Sequence, residues 1–189
     1  MFHKIKYNFL ILLLINITLW KIGLAIDLYI PEDEQFKLSY INELVNNYSI
    51  KYHDINIYFT EDYFVPSQYD IPYFGVPPNT NVTIIGNPNN ENGTAFDFLN
   101  NFNHFSIVFS EYTGQQFKFE NISFINYIDE YKTGHSLFHT RSYDKEFSIV
   151  FKNCNFDIGS SLILILEIQM TIKNNLNDYQ ILFDSCRFK

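Results

Sequence analysis

The sequence predicts an all-β fold, a solenoid of short parallel strands stacked in coils, and three observations predict it. First, Phe117–Phe124, Ile149–Phe156 and Ile181–Phe188 align without gaps at a spacing of 32 residues. A fixed period of that size marks a repeat array. Second, apolar residues inside each segment are spaced two, three and two apart, as at 117, 119, 122 and 124. Alternation by two is a strand with one buried face, whereas a helix would space them three and four apart. Third, the chain is 47% hydrophobic and 18% charged, with 20 Phe and 14 Tyr against 7 Gly and 6 Pro. That composition belongs to a globular chain, neither disordered nor collagen-like.

The step of three sets two consecutive residues outward: Glu120-Asn121, Lys152-Asn153 and Asp184-Ser185. Two outward residues between short strands make a bend that turns the chain while the same face stays inside. One bend residue needs left-handed dihedrals, and Asn, which tolerates them better than most residues, stands there twice. Stacked repeats then form parallel sheets with a rung spacing of about 4.8 Å. Like residues fall over like: Phe119, Phe151 and Phe183 in one core ladder, and Phe124, Phe156 and Phe188 in a second. Ile122, Cys154 and Cys186 stack beside them. Each side chain buried this way contributes roughly 1.5–3 kcal/mol before entropy.

These I-x-F-x-N-C-x-F rungs resemble the right-handed parallel β-helix of the pectin lyase-like superfamily. The resemblance covers roughly residues 36–189 and is strongest from 105 onward. It implies a right-handed coil. It implies little about activity, because that fold carries lyases, hydrolases, epimerases, tail proteins and adhesins. Asn81–Gly86 resembles an early rung of such a helix. Ile55–Phe59, Phe96–Phe98 and Ile107–Phe109 alternate as strands, and Leu162–Ile168 reads as a strand buried on both faces.

Before the coils, Pro31–Ser49 reads as a helix, with Pro31 suited to a first turn and Glu32, Asp33 and Glu34 at its positive end. Tyr40, Ile41, Leu44, Val45 and Tyr48 form its apolar stripe, expected to cap the N-terminal end of the stack. The expected organisation is a signal peptide over 1–25, a capping segment over 26–50 and β-helix coils over 51–189. Lys189 follows one residue after a ladder Phe. The expectation is therefore a C-terminally truncated coil, or a last rung that meets another chain end to end.

Residues 1–25 carry the marks of export: a basic start (His3, Lys4, Lys6), an apolar run from Phe9 to Trp20, and small residues at Gly23 and Ala25. A membrane anchor is the alternative, but the run is short for a span and Asn16 interrupts it. Cleavage after Ala25 removes Lys4, Lys6 and Lys21 and no acid, taking the net charge from −8 to −11. So acidic a surface disfavours nucleic acid, and it repels acidic polymers such as pectate unless a cation intervenes. Asn47, Asn81, Asn92 and Asn121 stand in N-x-[ST] sequons, Asn92 in the most open context.

Candidate chemistry is sparse. Glu120, Lys152 and Asp184 share one outward column, with the two acids two rungs apart, about 9.6 Å. That resembles the separation of an inverting glycosidase pair, but the intervening Lys152 fits a register-locking surface better. Polygalacturonase-like enzymes carry N-x-D, D-D, G-H-G and R-x-K in that order. Here Asn155-Phe156-Asp157 follows Gly134-His135-Ser136, Arg187-Phe188-Lys189 comes last, and no D-D exists. Lyases of the fold cluster acids around Ca²⁺ beside a basic Arg or Lys; only Arg141 and Arg187 are available as Arg, and no acid cluster matches. His135 and His139 share a face, and spacing places no third metal ligand with them. Cys154 and Cys186 stack as free thiols or as a bridge, and both readings stand. Tyr63, Tyr69, Tyr73, Tyr112, Tyr127, Tyr131 and Tyr143 are expected on the surface; a Tyr-rich composition accounts for them, and stacking on sugar rings is the functional alternative. The expected function is therefore a secreted or cell-surface, non-catalytic β-helix presenting an extended face to carbohydrate or protein. The alternative is a polysaccharide lyase or glycoside hydrolase of pectin-like glycans with an incomplete site. No cofactor or metal is expected.

Overall fold

A computed structural model describes residues 24–30, 37–67, 72–101, 104–109, 114–128, 136–143, 147–168 and 180–189. The apolar run of the export segment, Pro31–Glu34, His135, Tyr69, Tyr112 and Tyr131 lie outside the described residues.

Strand β1 (Ala25–Ile30) is followed by helix α1 (Ser39–Ser49), and then four turns of three strands each. These are β2 (Asp54–Phe59), β3 (Tyr63–Phe64) and β4 (Tyr73–Val76); β5 (Asn81–Ile85), β6 (Thr94–Asn101) and β7 (Phe105–Phe109); β8 (Gln115–Glu120), β9 (Ile122–Tyr127) and β10 (Ser136–Ser142); and β11 (Phe147–Lys152), β12 (Asn155–Asp157) and β13 (Leu162–Ile168). A partial turn follows with β14 (Ile181–Asp184) and β15 (Arg187–Phe188). Strands at equivalent positions pair in parallel. Sheet A runs β1-β2-β5-β8-β11-β14, sheet B runs β3-β6-β9-β12-β15, and sheet C runs β4-β7-β10-β13. The chain is a three-sided parallel β-solenoid.

The expected ladders are present in register. Phe119 pairs with Phe151, and Phe151 with Phe183. Their rings stack with centroids 5.6 Å and 4.9 Å apart and planes within 3° and 11° of parallel. The column continues upward through Ile84, Ile57 and Leu28. On sheet B, Phe64, Phe96, Phe124, Phe156 and Phe188 align. Sheet C adds an aromatic step not read from the repeat, Phe105 over Phe138, with rings 5.1 Å apart. Within one turn, Phe119, Phe124 and Phe138 converge from the three sheets at 5.1–5.6 Å in tilted and edge-on contacts. These are the offsets that ring quadrupoles favour. This turn holds a complete triangular aromatic layer; in the turns above and below it an aliphatic residue takes one corner, Ile84 on sheet A and Leu164 on sheet C.

The bends behave as the spacing requires. Asn121, Asn153 and Ser185 have φ of 54°, 52° and 55°. Each turns the chain from sheet A into sheet B. The first two bend amides are paired with the next turn, Asn121 N–H donating to Lys152 O at 3.1 Å and Asn153 N–H to Asp184 O at 2.9 Å. In the turn before, the β5–β6 connection packs directly on the Asn121 bend. A Cβ at Gly93, whose φ is 66°, would lie 1.7 Å from Asn121 O, so only glycine fits.

Several expectations need correction. The described helix spans Ser39–Ser49, with Leu38 as its N-cap in right-handed helical dihedrals, and 31–36 of the expected helix lie outside the described residues. Ile41 and Val45 are buried and Leu44 and Tyr48 pack against the core, but Tyr40 is 46% exposed and leaves the stripe. α1 lies against β4, and the Gly75 N–H of that strand donates to Asn42 Oδ1 at 3.0 Å. The capping segment also contains a strand, β1, whose Ile26, Leu28 and Ile30 alternate inward in register with β2. β13 is not buried on both faces. Among the described residues it pairs only with β10, Leu162 is 52% exposed, and Ile163–Glu167 are half-buried. Tyr127, expected on the surface, is fully buried against Phe98 with ring centroids 5.6 Å apart.

Replacing Phe151 by Ala should cost about 3–5 kcal/mol, since its ring touches Phe119, Phe138, Phe156 and Phe183, and Phe151→Asp should prevent folding. Glu120→Ala should stay within about 1 kcal/mol. Denaturant midpoints of the three variants check this. At the bend, Asn153→Gly should be nearly neutral, while Asn153→Val should lower stability by about 1–2 kcal/mol because a β-branched residue resists the left-handed region.

Candidate functional site

Sheet A turns a lattice of paired polar side chains outward. One column runs Tyr29, Tyr58, Ile85, Glu120, Lys152, Asp184. Tyr29 and Tyr58 stack with centroids 5.0 Å apart. The Glu120 carboxylate meets Lys118 Nζ at 2.5 Å and Lys152 Nζ at 2.8 Å. Partial burial pushes the Glu120 pKa up, but the hydrogen bonds from Lys118 and Lys152 outweigh it and hold the group below the usual carboxylate range. Such a carboxylate stays charged near neutrality and cannot serve as a general acid. Asp184, the other acid of the column, accepts a hydrogen bond from Ser185 Oγ at 3.0 Å. The column is a register lock, with Lys152 standing between the two acids.

Of the hydrolase-like motif residues, Asn155, Asp157, Arg187 and Lys189 lie on or beside sheet B and Ser136 lies on sheet C, while Gly134 and His135 lie outside the described residues. Asn155 and Arg187 are register partners on sheet B, and the residues that follow them, Phe156 and Phe188, stack in the second aromatic ladder. Arg187 is the next-rung equivalent of Asn155 and Ser123. Lys189 Nζ reaches only to 4.0 Å from Asp157 Oδ2. Among the described residues no three His, Cys, Asp or Glu side chains are placed to hold a metal ion.

The sequons divide by environment. Asn47 and Asn92 are exposed. Asn81 Nδ2 donates to Asp54 Oδ1 at 2.7 Å, and Asn121 is the tight bend beneath Gly93. Both cysteines are free thiols, Cys154 buried and Cys186 partly exposed.

Sheet C assembles a cluster that the sequence did not reveal. Its outward columns run Tyr73, Ser106, His139, Ile165 and, beside them, Gly75, Val108, Arg141, Glu167. Glu167 lies between Arg141 and His139: Arg141 Nε donates to Oε2 at 3.1 Å, and His139 Nε2 lies 3.1 Å from Oε1. The Arg141 guanidinium first, and His139 second, lower the Glu167 pKa. The His104 ring lies 6.2 Å from that of His139. Opposite, Tyr73 is 48% exposed, with its Cε1 over Gly75. Small residues thus separate an aromatic wall from a charged one. Tyr73 and His139 are two rungs apart, about 9.6 Å. The sequence signal was weak because Glu167 looked like the end of an apolar run and lies 26 residues from Arg141, off the 32-residue period.

Sheet B holds the most buried carboxylate described. Asp97 Oδ2 accepts from Tyr63 OH at 2.5 Å, and Oδ1 from Asn126 Nδ2 at 2.9 Å and Leu99 N–H at 2.8 Å. Leu99, Asn100 and Asn126 all have positive φ, and the β6–β9 register shifts between Asp97 and Asn101. Asp97 therefore ties together an irregular corner. Burial raises its pKa, but these three donors prevail and lower it.

No family model, no curated protein and no solved structure matches the chain at a significant level.

Because its folded pKa is depressed, Asp97 contributes stability that is complete above the unfolded value of about 3.9 and is lost as pH falls through the folded value. The gap in urea midpoint between the native chain and Asp97→Asn should therefore be widest above about pH 5 and close steadily below about pH 4. Paired midpoint titrations from pH 7 to 3 check this.

Proposed function

We propose that this chain is an exported, non-catalytic β-solenoid of the right-handed, pectin lyase-like kind, and that it binds carbohydrate on the outer face of sheet C. One observation carries the reading: exposed Tyr73 and the Arg141–Glu167–His139 cluster share the outer face of sheet C two rungs apart, with Ser106 and Val108 on the rung between them. A saturated sugar ring has an apolar face and an equatorial rim of hydroxyls. A tyrosine ring packs on the first, and fixed guanidinium and carboxylate groups hydrogen-bond the second. A gap of about 9.6 Å between flanking rungs admits one such ring.

Export is supported by the basic and apolar N-terminal segment and by the exposed sequons at Asn47 and Asn92. The absence of turnover is supported by the state of the acids. Glycoside hydrolysis requires one carboxyl with a raised pKa. Glu120, Glu167 and Asp97 are all held ionised by neighbouring donors. The paired charges of Arg141 and Glu167 favour neutral over polyanionic glycans, in keeping with the acidic chain.

Affinity electrophoresis and calorimetry against soluble neutral polysaccharides test the reading. Tyr73→Ala and Arg141→Ala should each weaken binding at least about tenfold, or roughly 1.4 kcal/mol, while Lys118→Ala on sheet A leaves it unchanged. Equal binding by Tyr73→Ala, or release of shortened polysaccharide products, would overturn it.

A further inference from the structure

The four sequons differ in what the fold does with their residues. In Asn92-Gly93-Thr94 the threonine belongs to the fold. Thr94 is fully buried, its Oγ1 donating to Glu61 O at 2.6 Å and accepting from the Asn87 N–H at 2.9 Å. Gly93 N–H donates to Asn90 O at 2.9 Å, and Asn92 N–H donates to Asn90 Oδ1 at 3.0 Å. The backbone of the β5–β6 connection is thus fixed around Asn92. The Asn92 side chain is nevertheless exposed and makes no hydrogen bond among the described residues. Asn47-Tyr48-Ser49 on α1 is divided the same way. Tyr48 packs against the core, Ser49 is buried with its Oγ donating to Asn46 O at 3.2 Å, and Asn47 is exposed beside exposed Asn46 and Ile50.

The other two asparagines are tied into the fold. Asn81 stands on the outer face of sheet A, where its Nδ2 donates to Asp54 Oδ1 at 2.7 Å and lies 3.4 Å from His53 Nδ1. Both hydrogens of that amide face partners, and a substituent on the nitrogen displaces one of them. Asn121 is the left-handed bend, with φ of 54°. The turn above closes on it so tightly that a carbon added to Gly93 would lie 2.9 Å from Asn121 Cβ, and the turn below is joined to it through the bond from Asn121 N–H to Lys152 O at 3.1 Å. An oligosaccharide rooted two bonds beyond that Cβ has no room between turns about 4.8 Å apart.

We infer that Asn92 and Asn47 carry N-linked glycans and that Asn81 and Asn121 do not. The donor class is an oligosaccharide joined through a diphosphate to a polyprenol, met by the chain as it enters a eukaryotic export route. The side-chain nitrogen of the asparagine attacks the anomeric carbon of the donor. The bond from that carbon to the diphosphate oxygen breaks, the polyprenyl diphosphate leaves with the electron pair, and the nitrogen gives up one proton as the new bond forms. Transfer precedes folding, so the fold acts afterwards as a filter. A glycan on Asn92 or Asn47 leaves every described contact intact. One on Asn121 keeps the Gly93 turn from its place, and one on Asn81 breaks the pairing of its amide. Chains modified there do not join the folded, exported pool. Both accepted positions lie off the three sheets, one on a connection and one on α1, so the glycans leave the outer sheet faces bare. This inference rests on the export part of the functional reading and not on sugar binding by sheet C.

The experiment is peptide mapping of the full chain secreted by cultured insect cells, once behind its own residues 1–25 and once with those residues exchanged for the leader of a well-secreted protein. Enzymatic release of the glycans in heavy-oxygen water converts each glycosylated Asn to a labelled Asp. The label should stand on Asn92 and Asn47 in most of the secreted chains and be absent from Asn81 and Asn121. Asn92→Gln should lose one glycan from the intact mass and keep the native circular dichroism spectrum. Ser123→Ala, which removes the Asn121 sequon alone, should leave the glycan mass unchanged. Retention of the first chain with secretion of the second would sink the export reading alone, because the labels on the second chain still decide the glycan assignment. A secreted chain with Asn92 or Asn47 bare, or with label on Asn81 or Asn121, would overturn the inference.

Discussion

Vertical register is the constraint from which everything else in this chain follows. Parallel rungs about 4.8 Å apart place each side chain directly over its equivalent in the turn below. A column then tolerates only residues that pack on copies of themselves. Flat aromatic rings do so well, as Phe119, Phe151 and Phe183 show, and Phe124, Phe156 and Phe188 after them. Because the rings also meet edge-on across the tube, a slip of one residue in any strand would expose a whole column and bring its polar neighbours inside. The outer ion pairs reinforce this register rather than set it: Glu120 with Lys118 and Lys152 is worth little beside the buried rings.

The corners are the second requirement. A three-sided coil must turn sharply without losing backbone partners, and it does so with single left-handed residues whose amides continue the ladder. Asn serves at Asn121 and Asn153, and Ser185 adopts the same conformation without that preference. The corner after β6 is solved differently. Leu99 and Asn100 are both strained there, and the Asp97 carboxylate gathers Tyr63, Asn126 and the Leu99 amide to hold it. A buried anion with three donors is a stable solution, and it fixes an irregular stretch that apolar packing would leave undetermined.

Sheets A and B were legible in the sequence because their inward positions repeat at one spacing with no gaps over three rungs. Sheet C was not. Its paired residues lie 33 apart from β7 to β10, as Phe105 to Phe138, but 26 apart from β10 to β13, as Phe138 to Leu164. Connections of unequal length erase the period while leaving the pairing intact. For the same reason the Tyr73, His139, Arg141 and Glu167 cluster was invisible: its members come from β4, β10 and β13 at unrelated offsets. β1 was hidden differently, its short alternation standing against the longer apolar segment before it. Tyr127 was misplaced because a phenol reads as a surface group, and nothing local signals that Phe98 closes over it. The placement of Cys154 and Cys186 on consecutive rungs was legible, since both lie on the strict period.

Strand pairing here joins only adjacent turns, so the molecule is energetically a one-dimensional lattice. Its cohesion is a sum of nearest-neighbour couplings, each carried by the inward columns of the three sheets. In such a lattice a weakened layer does not loosen distant ones; it divides the stack into two segments that melt separately. The aromatic-poor stretch of sheet A, where Leu28, Ile57 and Ile84 occupy the column that Phe fills lower down, is where that division would fall. Opening along the tube therefore starts from sheet A in its first turns, where that column is aliphatic, while Phe64 and Phe96 on sheet B and Phe74 and Phe105 on sheet C keep their ring contacts there.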